Sequence, residues 1–230
     1  MHILFWDIDG TLIRTSKAGL FAFAQAAEEL WGKAVNFDNI MAAGMTDNYI
    51  ARQIIESVLG REASCEEIDT LCRSYERLLP EHLAVRKGLV LPGVRDILSC
   101  LNANEDYRLL LLTGNSHDGA AVKLKYFELA GYFDFACSAF AGKYEKRVDI
   151  ARQALSSVCL NWGDPSQHKI YVIGDTPHDI ECGKAINAYT IGVATGAYSV
   201  AHLKDCLPWW EIESLPSPES FVDKITAARV

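Results

Sequence analysis

Short apolar runs that stop abruptly at polar tripeptides recur along this chain. Residues 2–6 (HILFW) end at Asp7-Ile8-Asp9-Gly10-Thr11, residues 107–112 end at Thr113-Gly114-Asn115, and residues 170–173 end at Gly174-Asp175-Thr176. Runs this brief, bounded by turn residues, have the length of buried β-strands. Residues 133–137 and 189–193, with aromatic and β-branched content, predict two more. Between these runs the apolar spacing becomes helical. Val94, Ile97, Leu98 and Leu101 share one face after Pro92-Gly93, with the proline placed for a first helical turn. Residues 117–130 predict a helix carrying Val122, Leu124, Phe127 and Leu129 and capped by Gly131, and residues 148–158 and 179–186 supply two others. Strands alternating with helices predict an α/β fold, a parallel sheet covered on both faces. Such sheets bind ligands beyond the carboxyl ends of their strands, which is where the three polar tripeptides fall.

Residues 15–87 break the alternation. Residues 16–30 are rich in Ala and Phe at helical spacing, residues 48–59 predict a second helix, and residues 65–83 predict one long helix or two short ones. With no strand pattern among them, the segment is expected to be an all-helical insertion at residues 15–87. The α/β core then comprises residues 1–14 and 88–230. The tail predicts a last surface helix starting near residues 217–219, and Leu207-Pro208-Trp209-Trp210 is expected to cover the sheet edge.

A length of 230 residues accommodates a core domain with a modest insertion. Half the residues are hydrophobic and 23% are charged, which excludes low-complexity disorder and coiled coil. Lys plus Arg (22) against Asp plus Glu (30) gives a formal charge of -8, so neither nucleic acid nor an anionic membrane surface is an expected partner. An anionic small molecule would need a metal ion or a local basic cluster to reverse the field around it. No apolar run approaches the roughly 20 residues that cross a bilayer. The start MHILFWDIDG lacks a basic leader, so a cytoplasmic location is expected, for a monomer or homodimer. The seven cysteines are dispersed, without C-x-x-C or zinc spacing, and are expected to be reduced thiols in core positions.

Candidate chemistry lies in the tripeptides. Asp7 and Asp9 are two residues apart at a strand end, so their carboxylates can face one point. Two such groups repel unless one is protonated or a cation sits between them. A divalent metal on Asp7 would leave Asp9 free as acid and base, and Gly10 lets the backbone turn closely around a ligand. Asp175 could complete an oxygen-rich site suited to Mg²⁺, with Asp179 orienting its ligands from behind. Thr113, with the N–H groups of Gly114 and Asn115 at a helix start, could hold an anion. Lys143, Lys146 and Arg147 form a basic cluster before a helix, able to neutralise a transferred group. Asp-x-Asp-Gly also opens calcium loops, but no acidic residue occupies the later positions such a loop requires.

Taken in order, Phe5-Trp6-Asp7-Ile8-Asp9-Gly10-Thr11, Thr113, the basic cluster and Gly174-Asp175 through Asp179 resemble the haloacid dehalogenase-like hydrolase superfamily, in its phosphoglycolate phosphatase and β-phosphoglucomutase-like branch. The resemblance spans essentially the whole chain. It implies a Rossmann-like core with a helical cap inserted after the first motif, and a two-step phosphoryl transfer on a small-molecule phosphate ester. Asp7 would attack phosphorus, and Asp9 would protonate the leaving oxygen and then activate water. Mg²⁺ would be held by Asp7, the Asp9 carbonyl and Asp175, with Gly10, Thr11 and Thr113 around the phosphate. Without the cation, two unit charges about 4 Å apart oppose the attack by about 4 kcal/mol at an effective dielectric of about 20. Dehalogenating members lack the second acid, so Asp9 argues for phosphoryl transfer.

The third motif, a basic residue before a helix, falls to Lys146 or Arg147 rather than Lys143. In the cap, Gly44-Met45-Thr46-Asp47 resembles a segment that faces the active site, although Thr46 also suits a helix N-cap. Arg14, Lys17 and Arg52 are candidate contacts to a substrate anion. The leading expectation is a Mg²⁺-dependent phosphatase of a phosphoglycolate-like metabolite. A sugar-phosphate mutase and a non-catalytic metal- or phosphate-binding protein are the alternatives.

Overall fold

The computed structural model describes residues 1–228, and in it the first apolar run becomes β1 (His2–Trp6), buried from Ile3 onward. The remaining described strands are β2 (Ile13–Arg14), β3 (Leu89–Val90), β4 (Tyr107–Leu111), β5 (Lys169–Gly174), β6 (Tyr189–Val193) and β7 (Trp210–Ile212). The α-helices among the described residues are α1 (Ala18–Trp31), α2 (Asp47–Leu59), α3 (Cys65–Arg86), α4 (Val94–Asn102), α5 (His117–Tyr126), α6 (Arg147–Trp162), α7 (Pro177–Ala185), α8 (Val200–Asp205) and α9 (Pro218–Thr226).

Five strands form one parallel sheet in the order β4-β1-β5-β6-β7. The strands read as continuous apolar runs because both faces are covered. Ile3 and Phe5 pack with Ile150 and Ala154 of α6 and Cys182 of α7, whereas Leu4 and Trp6 pack with Ile97 and Leu101 of α4 and Phe221 and Ile225 of α9. Register then fixes what converges at the carboxyl edge. Trp6 stands level with Leu111 of β4 and Ile173 of β5, so Asp7, Thr113 and Asp175 emerge side by side.

The all-helical segment, α1 to α3, leaves the core through β2 and returns through β3, which pair antiparallel. Ala18, Ala22 and Ala26 of α1 are buried, and small side chains let it approach α3 closely, with the rings of Phe23 and Tyr75 stacked parallel 4.0 Å apart. Residues 65–83 belong to a single helix that continues to Arg86 and keeps Pro80 inside it. Its start is fixed by a capping box in which Ser64 Oγ accepts from Glu67 N–H and the Glu67 carboxylate accepts from Ser64 N–H.

Several expectations change. Residues 133–137 form no strand, because the Asp134 carboxylate accepts from the N–H groups of Ala136 and Cys137 and holds a turn. The loop still meets the edge of the sheet, through Asp134 N–H to Leu109 C=O, Leu111 N–H to Ser138 Oγ and a bridge between Leu112 and Ala139. Helix α5 stops before Gly131. Glu128 adopts a left-handed conformation (φ 57°), and Leu129 N–H bonds back to Leu124 C=O, closing the helix without glycine. Helix α4 begins at Val94 with Gly93 as its cap at φ 78°, so Pro92 lies before the cap rather than in the first turn. The Trp209-Trp210 region does more than cover the edge, since β7 joins the sheet in parallel with β6. The last helix starts at Pro218; residues 229–230 of the expected tail lie outside the described residues. No described helix is long and apolar enough to cross a membrane.

Candidate active site

Asp7 follows β1 and is 4% exposed. Its backbone N–H donates to Ile173 C=O at 2.9 Å, which ties it to β5, the strand that carries Asp175. Carboxylate oxygens of Asp7, Asp175 and Asp179 all lie within 4.8 Å of one another in this buried corner. Burial and the neighbouring Asp179 charge push the Asp7 carboxyl well above the ordinary range, against the pull of Arg147. Burial and the charges of Asp179 and Asp7 do the same to Asp175. Asp179 belongs to the capping box of α7, where Thr176 N–H and Oγ donate to its Oδ2 at 3.0 and 2.7 Å, and Arg147 donates to its Oδ1.

Arg147 is the first residue of α6, and its Nη2 also reaches Asp7 Oδ1 at 3.3 Å. Burial opposes its charge, but Asp179 and Asp7 outweigh that and hold its guanidinium above the usual range. It is the basic member of the expected cluster that turns inward. Lys146, proposed beside it, is exposed at the cap position of α6, and Lys143 is exposed over the Tyr144 ring. The helix register explains the difference, since Arg147 shares the buried stripe of Ile150, Ala151 and Ala154.

One guanidinium among three buried carboxylates leaves negative charge in excess. An oxygen-only donor set of this kind fits a hard divalent cation. The backbone is shaped to the same corner. Gly10 takes φ 88° and presses on Asp175, whose Oδ2 would lie 2.4 Å from an added Cβ; at Gly196, which the sequence pattern did not single out, the same oxygen would lie 1.7 Å away. Thr11, expected near the phosphate, donates its hydroxyl to Asp175 Oδ1 at 3.0 Å and does not line the cavity.

Asp9 is separated from this cluster. Its Oδ2 accepts from Lys123 Nζ at 2.5 Å and from Asn115 Nδ2 at 3.0 Å. Asn115 also bonds Thr113 Oγ1 through Nδ2 at 2.8 Å and accepts from Lys123 Nζ at 2.5 Å. Lys123 is 5% exposed; burial disfavours its charge, yet the Asp9 and Asp47 carboxylates hold it above the usual lysine range. The expectations from sequence omitted Lys123. The signal was a lysine on the buried stripe Ala120, Lys123 and Leu124 of α5, continued by Phe127 just after it.

A cavity of about 210 Å³ lies over Asp7, Asp9, Thr113, Gly114 and Asn115. Its far wall comes from the helical segment, with Leu20, Phe23, Met45, Ile50 and Tyr75, and Lys17 at its side. Asp47 N–H donates to Gly114 C=O at 2.8 Å, and Ser116 N–H donates to Asp47 Oδ2 at 2.8 Å. Asn48 donates to Gly142 C=O at 2.6 Å, and Arg52 pairs with Glu145 at 2.5 Å. Burial raises the Asp47 carboxyl to about 6, with Lys123 and the Ser116 hydrogen bond pulling the other way. Thr46 caps α2 by accepting from Tyr49 N–H and donates to Glu145 C=O; its hydroxyl is thereby committed and it does not line the cavity. Arg14 donates to Thr195 C=O, so it and Arg52 are engaged away from the cavity.

A parallel sheet with buried acids at its carboxyl edge, beneath a run of helices, is the architecture this chain shares with a family of hydrolases. The chain belongs to the haloacid dehalogenase-like hydrolases, whose family model matches residues 3–193. Among curated proteins, it is 26% identical over 208 residues to IndB of Dickeya dadantii, described as a probable phosphatase, covering 90% of this chain and 86% of IndB. It is 24% identical over 220 residues to pyrophosphatase PpaX of Listeria innocua, covering 92% of each. Among solved structures, a hydrolase from Pseudomonas syringae superposes with a TM-score of 0.68 at 18% identity over the whole of both chains. A family IA, variant 3 hydrolase from Entamoeba histolytica gives 0.72 at 19% identity, covering 98% of this chain and all of that one. At such identities the structural likeness establishes the shared fold.

Proposed function

We propose that this protein is a Mg²⁺-dependent phosphatase that hydrolyses a small phosphate ester through an aspartyl-phosphate on Asp7. The observation that carries the proposal is the division between Asp7 and Asp9. Two residues apart, one faces a buried carboxylate cluster and the other faces a lysine and an amide. A nucleophile must be ionised and a proton donor protonated, so the two acids need separate surroundings; a cation bound among the buried carboxylates would hold Asp7 ionised.

The Asp7 and Asp175 carboxylates, with the Asp9 carbonyl, would hold the cation, while Asp179, already engaged by Thr176 and Arg147, would orient that set. When bound, Mg²⁺ neutralises part of the charge shared by Asp7 and the phosphoryl group. The Asp7 carboxylate attacks phosphorus, the ester P–O bond breaks, and the leaving oxygen takes a proton from Asp9. Asp9 then takes a proton from water as that water attacks the phosphoryl group, releasing phosphate and regenerating Asp7. Arg147 holds Asp7 in line, and Thr113, Gly114 and Asn115 border the space for the phosphoryl oxygens. The helical segment acts as a cap that excludes bulk water, and the cavity of about 210 Å³ favours a compact substrate of the phosphoglycolate size class. A pyrophosphate, after the name pyrophosphatase that the Listeria relatives carry, is the second compact candidate.

Purified protein with Mg²⁺ tested on phosphoglycolate, pyrophosphate, aryl phosphates and sugar phosphates is expected to release inorganic phosphate steadily from a compact ester. Isomerisation of a sugar phosphate without net release, or failure on the whole panel, would contradict the proposal.

A further inference from the structure

The two carboxylate oxygens of Asp9 are not equivalent. Oδ2 receives both Lys123 Nζ (2.5 Å) and Asn115 Nδ2 (3.0 Å), while Oδ1 has no hydrogen-bond partner among the described residues. Lys123 and Asn115 are themselves joined at 2.5 Å, and Asn115 is anchored to Thr113 Oγ1 at 2.8 Å. The three groups therefore close a triangle around Asp9 Oδ2, fixed at one corner to the end of β4. A carboxylate held by two donors on one oxygen cannot turn about its last torsion without breaking both bonds, so its other oxygen keeps a fixed direction.

Burying an ammonium group is costly, and the fold meets that cost in the lining of the cavity rather than in an inert part of the core. A lysine serving only the stability of α5 would not need to end on Asp9. Asp47, whose charge also acts on Lys123, spends its Oδ2 on Ser116 N–H, which leaves the Lys123 contact to Asp9 and Asn115.

We propose that Lys123 is a positioning residue that, with Asn115, clamps Asp9 by Oδ2 so that Oδ1 is the atom presented to the leaving-group oxygen. This rests on the phosphatase function above and adds a residue to it that lies outside the acidic cluster. The clamp acts where the leaving oxygen needs a proton and has little effect where it does not.

The test is the rate of phenol release in a single turnover, with excess enzyme and Mg²⁺, for 2,4-dinitrophenyl phosphate and for phenyl phosphate. The dinitrophenolate departs without protonation, whereas phenolate is a poor leaving group. In Lys123→Met the phenyl ester is expected to lose about 100-fold, within the range contributed by a positioned general acid. The dinitrophenyl ester is expected to stay within about threefold on the same scale. Lys123→Gln, which keeps one donor without the charge, is expected to fall between wild type and Met, and it carries the test if Lys123→Met does not fold. Equal losses on both esters would overturn the clamp while leaving the phosphatase function standing. Failure of the wild-type protein on these esters and on the rest of the substrate panel would instead overturn that function.

Discussion

At Arg147 a single guanidinium stands between two buried carboxylates, Asp7 and Asp179. Removing one partner of such a buried pair leaves uncompensated charge, and Arg147→Met is expected to lower stability by about 3–5 kcal/mol in denaturant titrations. Both contacts are made by Nη2, so Arg147→Lys keeps a point charge on a shorter side chain; it is expected to retain more stability and to lose at least about tenfold in turnover. Wild-type-like turnover in Arg147→Lys would show that the reach of the guanidinium is unused. The sequence singled out Asp7, Asp9, Thr113 and Asp175 because each follows a strand, and their positions follow from sheet register. It favoured Lys146 and Arg147 over Lys143 but could not choose between those two, since that depends on where α6 begins. Lys123 was illegible for a related reason. A lysine on a buried stripe reads as a flaw in an amphipathic pattern until the carboxylate across from it is known.

At the scale of elements, the N-terminus of α2 ties the helical segment to the core through Asp47, 5% exposed and raised by burial to about 6. A carboxyl raised in the folded state favours folding when protonated. Its contribution is complete below the unfolded value of 3.8 and is lost as pH rises through about 6. Asp47→Asn preserves an acceptor for Ser116 N–H and removes the buried charge. The variant is therefore expected to match wild type near pH 3.8 and to exceed it by about 3 kcal/mol at pH 8, measured as the difference between their pH–stability curves. Parallel curves would mean that Asp47 pays nothing for its burial. The strong helices and the long apolar strands were legible because their periods are set by burial. The two-residue strands β2 and β3 have no period to read, and the Asp134 turn overrides the strand preference of residues 133–137 through side-chain hydrogen bonds.

For the whole molecule, the parallel sheet matters more than any one contact. Its strands deliver acids from distant parts of the chain to one edge, so a chain with a net charge of -8 concentrates Asp7, Asp175 and Asp179 in a single corner beside one buried arginine. Covering that corner with a helical segment gives the cavity the apolar side chains Leu20, Phe23 and Ile50. The change of hydrophobic period marked the run of helices α1 to α3 between β2 and β3, while the closeness of the covering contacts depends on backbone hydrogen bonds such as that from Asp47 N–H to Gly114 C=O that no side-chain pattern encodes. The central claim is that Asp7 carries the phosphoryl group. Protein quenched in acid during turnover of a small phosphate ester, then reduced with borohydride, reports this directly, because an acyl phosphate is reduced to the alcohol and a free carboxylate is not. Peptide mass spectrometry is expected to find homoserine at position 7, dependent on both substrate and Mg²⁺. Turnover at full rate with Asp7 unreduced, or with the reduced residue elsewhere, would contradict the account.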